Sequence, residues 1–389
     1  MFSPRKPSGS WRWPAIAGGK SGRSELADRL EPVLKRKTSK FRALLPQLPW
    51  AVGKPSAPLG IDVLKKKTGN GNRTAARLGW RIGAGVAGLA AAGAGVLLAA
   101  NREIRQFELK EVTVPLLEPG TLPSHWDSLR ILHVSDLHML ADQRLKQSWV
   151  AGLIELDPDL VVNTGDNLGE DEAVPGVLSA LDPLFERPGV FVFGSNDYFA
   201  PKPVNPFIYL LGKKRKPSRV QLPWRGMRAA FLEHGWRDAT HARLEFPLGT
   251  DAPVGSGEPK MIRLAVTGVD DPHHDLADYS QVAGAPNADA DLSIGLSHSP
   301  EPAVLDQFAA DGYQLVLSGH THGGQLCLPG SRAIVTNCGI DRSRAQGLSR
   351  WTERTWLHVT NGLGNSKYVP FRIFCRPSAT LIHVVERAD

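Results

Sequence analysis

Short uncharged runs of apolar residues recur along the last three quarters of the chain and have the length of buried strands. The runs lie at 131–134, 160–163, 292–296 and 315–317, and leucine, isoleucine and valine dominate them. Between the first two, apolar residues recur at helical spacing over 145–156, until an Asp-Pro pair ends the pattern. This order predicts a right-handed β-α-β unit with parallel strands buried on both faces.

Further elements follow from the same patterns. Alternation of apolar and polar residues in FELKEVTVPLL, which begins at Phe107, predicts an edge strand. The remaining predicted strands are 190–193, 262–269, 356–360 and 380–385, and a helix is predicted over 301–310. Because strands and helices follow one another in this order, we expect an α/β fold in which two packed sheets are flanked by helices.

Side chains of the types that bind metals follow the four apolar runs. We expect all of them to project from the carboxyl edge of one sheet, where ligands of open α/β sheets bind. A phosphate ester resists attack unless cations neutralise its anionic oxygens, so such a cluster indicates a two-metal phosphoesterase. The most specific segment is Gly319-His320-Thr321-His322-Gly323, because two histidines in a tight glycine loop have few structural explanations. The candidates are Asp136 and His138, Asp166, His298, and His320 and His322.

Charge is divided unevenly along the chain. Residues 1–105 contain 20 Lys and Arg against 5 Asp and Glu, a net charge of +15, whereas the remainder contains 26 against 34, a net charge of −8. The excess of positive charge, +7 for the whole chain, therefore comes from the N-terminal region. Residues 1–75 are rich in Pro, Gly, Ser and Lys, which predicts a disordered basic arm. Such an arm either solvates the chain or binds anionic lipid. No array of stacking aromatic residues accompanies it, so we expect no nucleic-acid partner.

Residues 82–100 lack any charge and would span about 28 Å as a helix, close to the thickness of a bilayer core. We expect one transmembrane anchor within 76–104. The alternatives are a buried helix rich in Gly and Ala and a late signal sequence. Lys and Arg precede the run between 65 and 81, whereas acidic residues accompany the basic ones after it. The positive-inside rule then predicts a cytoplasmic N-terminus and a catalytic domain, 105–389, outside the cytoplasm.

The motifs D-x-H, G-D, a later lone histidine and G-H-x-H together resemble those of the calcineurin-like metallophosphoesterase superfamily. The strings G-H-T-H-G-G-Q at 319–325 and G-L-G-x-S at 362–366 resemble its bacterial membrane-anchored branch. The resemblance implies a four-layer αββα sandwich, two mixed sheets flanked by helices, with a dinuclear metal centre.

The resemblance also implies a ligand set for two divalent transition metal ions. Mn, Fe or Zn suits mixed carboxylate and imidazole ligands, whereas Ca and Mg prefer oxygen alone. A hydroxide held between the two metals would attack the phosphorus in line. By position, one metal receives Asp136, His138 and His322, Asp166 is the bridge, and the other metal receives His298 and His320.

The chain departs from the superfamily at 194–197, which reads Gly-Ser-Asn-Asp where Gly-Asn-His-Asp or Gly-Asn-His-Glu is usual. We favour Asn196 as the replacement metal ligand, through its carbonyl oxygen, with Ser195 as the alternative. In the superfamily the missing histidine orients the substrate or protonates the leaving oxygen, and an amide has no proton to give near pH 7. His273 or His274, in a polar loop after a strand, is a candidate to replace it, and mere surface exposure is the alternative.

We therefore predict a membrane-anchored, metal-dependent phosphoesterase that hydrolyses a phosphomonoester or phosphodiester, with Asp166, Asn196 and His273 as catalytic residues. The predicted location favours a lipid or cell-envelope intermediate as the substrate. Because the usual histidine is missing, the alternative is a catalytically impaired metal-binding or partner-binding module of the same fold.

Overall fold

The structure is a computed structural model that describes residue 93 and residues 95–203, 218, 220–249 and 261–388. The predicted basic arm and most of the predicted membrane span lie outside these residues. Within the described part of the chain, no helix combines the length and the apolar character that crossing a bilayer requires.

The first sheet has six strands and is mixed. At one edge of the sheet, the first and last strands of the chain run parallel to each other. The last strand runs antiparallel to its other neighbour. The remaining neighbours are all parallel, as the predicted β-α-β unit requires. In spatial order the strands are β1 (Glu108–Leu117), β14 (Ser378–Glu386), β2 (Leu129–Val134), β3 (Leu160–Asn163), β4 (Gly189–Phe191) and β5 (Arg237–Asp238).

The second sheet also has six strands, with an antiparallel pair at each edge and parallel neighbours between them. In spatial order the strands are β12 (Gly347–Arg350), β13 (Trp356–Val359), β9 (Leu315–Ser318), β8 (Leu292–Leu296), β7 (Ile262–Gly268) and β6 (Ala242–Leu248). A separate two-stranded ribbon joins β10 (Cys327–Leu328) and β11 (Arg332–Ala333).

Helices cover the outer faces of both sheets. The layer between the sheets is one apolar cluster to which strands of both contribute, including Ile131 of β2 and Ile294 of β8. A second cluster packs helices against the first sheet, and a third packs a helix against the second sheet. The predicted arrangement of two mixed sheets flanked by helices is therefore confirmed. The helices are α1 (Arg144–Ala151), α2 (Val174–Leu181), the single turn α3 (Ser195–Tyr198), α4 (Trp224–Glu233) and α5 (Pro302–Asp311).

Candidate metal centre

The candidate ligands lie in the turns that directly follow parallel strands of both sheets. In the first sheet, Asp136 and His138 follow β2, and Asp166 follows β3. In the second sheet, His298 follows β8, and the two histidines of the G-H-T-H segment follow β9. The prediction that a single sheet carries all of them is therefore wrong. Because the two sheets pack face to face, the carboxyl ends of strands from both meet at the same site.

Most of these turns hold their metal-ligand residue in a left-handed backbone conformation, which is uncommon for residues other than glycine. Twelve such non-glycine residues occur in the described part of the chain, and five of them are candidate ligands. Backbone conformations of this kind cost energy and cluster at functional sites. The five are Asp136 (φ 51°), His138 (φ 38°), Asp166 (φ 55°), His320 (φ 67°) and His322 (φ 50°).

Glycine at two positions permits the close approach of these turns. Gly165 has a φ of +92°, and a Cβ atom placed there would lie 2.3 Å from the backbone nitrogen of Gly194. A Cβ atom at Gly319 would lie 2.4 Å from a carboxylate oxygen of Asp136. Any larger residue at either position would push one ligand-bearing turn away from its neighbour.

Two groups of side chains converge closely enough to hold a metal ion. In the first, Nε2 of His138 lies 3.1 Å from Nε2 of His322, which in turn lies 3.6 Å from Oδ1 of Asp136. In the second, Nε2 of His298 lies 3.4 Å from Oδ2 of Asp166 and 4.0 Å from Oδ1 of Asp136. All five side chains are buried.

Asp166 belongs to the second group and also reaches an imidazole of the first. Its Oδ2 atom is 3.4 Å from Nε2 of His298 and also 3.4 Å from Nε2 of His138, so one oxygen faces an imidazole of each group. The side-chain amide of Asn196 donates to the same oxygen at 2.6 Å, and its backbone N–H donates to Oδ1 at 2.8 Å. Ser195 instead donates its backbone N–H to Asp271. The structure therefore brings the Asn196 side chain to Asp166.

His320 lies beside these groups without belonging to either. Its backbone N–H donates to the carboxylate of Asp136 at 3.1 Å, and its ring centroid is 5.3 Å from that of His298. The ring of His273 lies against His320 at a centroid distance of 4.3 Å and is half-buried. His273 therefore lies next to the candidate ligands, and the ring centroid of His274 lies 4.7 Å from that of His273.

Three of the candidate ligand imidazoles, those of His138, His320 and His322, are neutral at pH 7 and so have a lone pair to offer. Burial lowers the pKa of His138 to about 4 and that of His320 to about 3. Burial, followed by the charge of His138, lowers the pKa of His322 well below its ordinary value. Burial and then His320 lower the pKa of His273 to about 3, which favours a neutral ring that donates a hydrogen bond over a cationic proton donor.

The buried carboxylates give the site negative charge that a cation would balance. Burial raises the pKa of Asp136 to about 6. Burial also opposes ionisation of Asp166, but the charge of His298 and a hydrogen bond from Asn196 hold the pKa of Asp166 well below its ordinary range. Burial opposes a charge on His298, yet Asp166 and then Asp271 raise the pKa of His298 well above its usual value.

These observations fit a cation site. Without a metal, a proton on His298 is what balances the buried carboxylates around it. The Nε2 atoms of His298 and His320 are both buried and make no hydrogen bond. Unpaired buried nitrogen atoms beside carboxylates are costly unless a cation accepts their lone pairs. The donor set of carboxylate and imidazole suits Mn, Fe or Zn.

Comparison with known proteins agrees with this geometry. A family model described as calcineurin-like phosphoesterase matches residues 129–324, half of the chain. The chain belongs to the calcineurin-like phosphoesterase family. Membership points to a hydrolase of phosphate esters, and all six ligands that the superfamily resemblance assigned fall within the matched range.

Relatives of this phosphoesterase include bacterial and animal proteins. The transmembrane protein with metallophosphoesterase domain of Danio rerio is 27% identical over 279 residues, which are 67% of this chain and 54% of that protein. The uncharacterized metallophosphoesterase YkoQ of Bacillus subtilis is 26% identical over 73% of this chain and 93% of its own length. Phosphodiesterase YaeI of Escherichia coli is 26% identical over 66% of this chain and 82% of its own length. The chain thus spans about half the length of the Danio rerio relative.

Two buried carboxylates of the phosphoesterase were not identified from the sequence as organisers of these turns. Asp197 accepts four backbone N–H groups, from residues 166, 167, 168 and 194, at 2.7–3.3 Å. Asp271 accepts the N–H groups of Ser195 and His273, both at 2.9 Å. The signal for Asp197 was its match to the acidic position of the usual Gly-Asn-His-Asp motif, and the signal for Asp271 was only its place in a polar loop after a strand. Such a position is also typical of an ordinary cap, so no role followed from it.

Proposed function

We propose that this phosphoesterase is a two-metal enzyme that hydrolyses a phosphomonoester or a phosphodiester. The observation that carries the proposal is the position of Asp166, one oxygen of which faces an imidazole of each group at 3.4 Å. Two cations that lie close together must share a ligand, and this carboxylate is arranged to be that ligand. The proposed metal ligands are Asp136, His138, Asp166, Asn196, His298, His320 and His322.

Two divalent cations of Mn, Fe or Zn would neutralise the phosphate oxygens and lower the pKa of a bound water. The protein supplies the rest. The neutral rings of His138 and His322 offer lone pairs without adding positive charge that would repel a cation. Asn196 holds Asp166 by two hydrogen bonds, one from its backbone and one from its side-chain amide. The carbonyl oxygen of that amide would be its ligand atom for a metal. We assign to His273 the task of the histidine missing from the 194–197 turn, as a neutral donor of a hydrogen bond to the leaving oxygen.

We further propose that the enzyme belongs to the membrane-anchored branch, with its catalytic domain outside the cytoplasm and a lipid or cell-envelope phosphate ester as substrate. The support is the uncharged run at 82–100 and the excess of Lys and Arg before it. Protease added to intact spheroplasts that express the full chain should then digest the catalytic domain. Digestion only after the membrane is broken would reject this orientation.

Catalysis is tested on the full chain, purified in detergent and loaded with manganese. Wild-type protein should hydrolyse an aryl phosphodiester or an aryl phosphomonoester, and Asp166→Asn should lower the rate by more than about 100-fold, because mutations of outer partners alone cost 10–100-fold at metal sites. Equal rates for wild type and Asp166→Asn on both esters would refute catalysis at this site.

A metal-binding module without turnover is the second candidate. The observation that favours it is the 194–197 turn, which has Asn196 in place of the usual histidine. Manganese binding by the wild type that Asp166→Asn weakens, with no turnover of either ester, would select this candidate.

A further inference from the structure

A buried arginine outside the matched family region contacts the turns next to the candidate metal ligands. Arg372 is 0% exposed, and its guanidinium donates hydrogen bonds mainly to backbone oxygens of nearby turns, besides contacts with Nδ1 of His322 at 3.1 Å and Sγ of Cys375 at 4.0 Å. Among the described residues, no carboxylate lies within ion-pair distance of it. Its acceptors are the carbonyl oxygens of His322, Asn361, Gly362, Gly364 and Cys375.

One of these acceptors also fixes the orientation of a candidate metal ligand. Nδ1 of His322 lies 3.0 Å from the carbonyl oxygen of Gly364, the same oxygen that Arg372 holds. Arg372 also contacts the ring directly, with a guanidinium nitrogen 3.1 Å from Nδ1, so these contacts hold the Nδ1 edge of the His322 ring and leave its Nε2 atom turned toward the other candidate ligands. That Nε2 atom faces His138 and Asp136.

The same turn reaches the other candidate ligand of this group. The backbone N–H of Gly364 donates to the carbonyl oxygen of Asp136 at 2.6 Å, and that of Leu363 donates to Ser135 at 3.1 Å. A Cβ atom at Gly362 would lie 2.5 Å from Cβ of Asp136, so the turn is pressed against the Asp136 side chain. Three of the carbonyl oxygens that Arg372 holds, those of Asn361, Gly362 and Gly364, therefore belong to a turn that contacts both Asp136 and His322.

We propose that Arg372 is a positioning residue for the metal site, holding the 361–364 turn so that Asp136 and His322 present their ligand atoms to the same cation. The inference rests on the proposed function, because it concerns the affinity of that site for its metal. Arginine suits the task because its planar guanidinium offers five N–H groups in fixed directions, whereas lysine offers three on one flexible point. A positive charge alone, such as that of a lysine, would therefore not hold the turn in the same position.

The test compares Arg372→Lys and Arg372→Gln with wild type, in the full chain, by calorimetric titration of manganese into metal-free protein. We expect Arg372→Lys to bind manganese 10–100-fold more weakly, as loss of an outer partner does at other metal sites. At saturating manganese its KM for the aryl ester should be unchanged, because the buried guanidinium does not reach the substrate. Its kcat should be lower, because the metal ligands are then less well positioned. Arg130→Lys is the matched control, since Arg130 pairs with Asp157 at the opposite end of β2.

The outcomes separate the two claims. Manganese affinity of Arg372→Lys equal to that of wild type overturns the inference, even if Arg372→Gln fails to fold, because the arginine is then needed only for folding. Equal weakening by Arg130→Lys also overturns it, because the loss is then not local to the turn. A wild-type protein that binds no manganese rejects the proposed function, and this inference with it.

Discussion

Replacing Gly165 with alanine should destabilise the protein through contact with a neighbouring backbone, beyond the cost of the left-handed conformation itself. Gly165 has a φ of +92°, and its absent Cβ would lie 2.3 Å from the nitrogen of Gly194 and 2.6 Å from the carbonyl carbon of Phe193. Both atoms belong to the main chain and cannot rotate away. Gly312 provides a matched comparison, because its φ is +91° and nothing lies within 4 Å of the Cβ position.

The magnitudes follow from these two environments. Gly312→Ala bears only the left-handed backbone, which costs about 1–2 kcal/mol. Gly165→Ala bears the same cost together with an overlap of the overpacking kind, worth about 1–3 kcal/mol more. Its free energy of unfolding should therefore fall by about 2–5 kcal/mol, a large share of the ~5–15 kcal/mol that holds a typical domain folded.

Urea denaturation of the metal-free proteins, followed by far-ultraviolet circular dichroism, measures both free energies of unfolding. Manganese affinity should separate the variants further, because movement of the turn displaces Asp166, whereas Gly312 lies between α5 and β9, at the opposite end of β9 from His320 and His322. Equal free energies of unfolding for Gly165→Ala and Gly312→Ala would refute the steric argument. That result would mean that the turns containing Gly165 and Gly194 can move apart to make room for the added methyl group.

Two further expectations concern the ligand that replaces the usual asparagine and a buried lysine. Asn196→Ala should weaken manganese binding by about tenfold while Ser195→Ala leaves it unchanged, since only the Asn196 side chain contacts Asp166; the reverse result in the titration would assign the ligand to Ser195. Burial lowers the pKa of Lys146 to about 7, so the folded protein binds fewer protons than the unfolded chain between pH 7 and about 10. The free energy of unfolding of metal-free wild type should rise with pH over that window relative to Lys146→Met, and parallel curves would show that Lys146 is not buried.

The sequence was most informative where burial is complete. Strands buried on both faces appear as unbroken apolar runs, and β3 and β8 have the predicted bounds. The helix predicted over 145–156 is α-helical only to Ala151, after which a 3-10 segment follows. β6 was missed although exposed residues alternate in it with half-buried and buried ones, because it includes a proline, which counts against a strand.

Assignment of strands to sheets was beyond the sequence pattern. A buried parallel strand looks the same whichever sheet contains it, so β8 and β9 were placed beside β2 and β3 instead of opposite them. Arg372 was missed for a related reason. Its acceptors are backbone carbonyl oxygens, which every residue possesses, so no motif marks the arginine that binds them.

Placement of the ligands on two sheets makes the metal site depend on how the sheets are packed. A buried polar chain crosses between them: Nδ1 of His133 in β2 lies 2.9 Å from Nδ1 of His358 in β13, and Nε2 of His133 lies 3.0 Å from the hydroxyl of Thr164. The carbonyl oxygen of Thr164 is in turn 2.7 Å from Nδ1 of His298. Any slip of one sheet against the other therefore breaks buried hydrogen bonds next to a candidate ligand, which costs more than slipping apolar surfaces would. The core between the sheets thus fixes the distance between the two halves of the site.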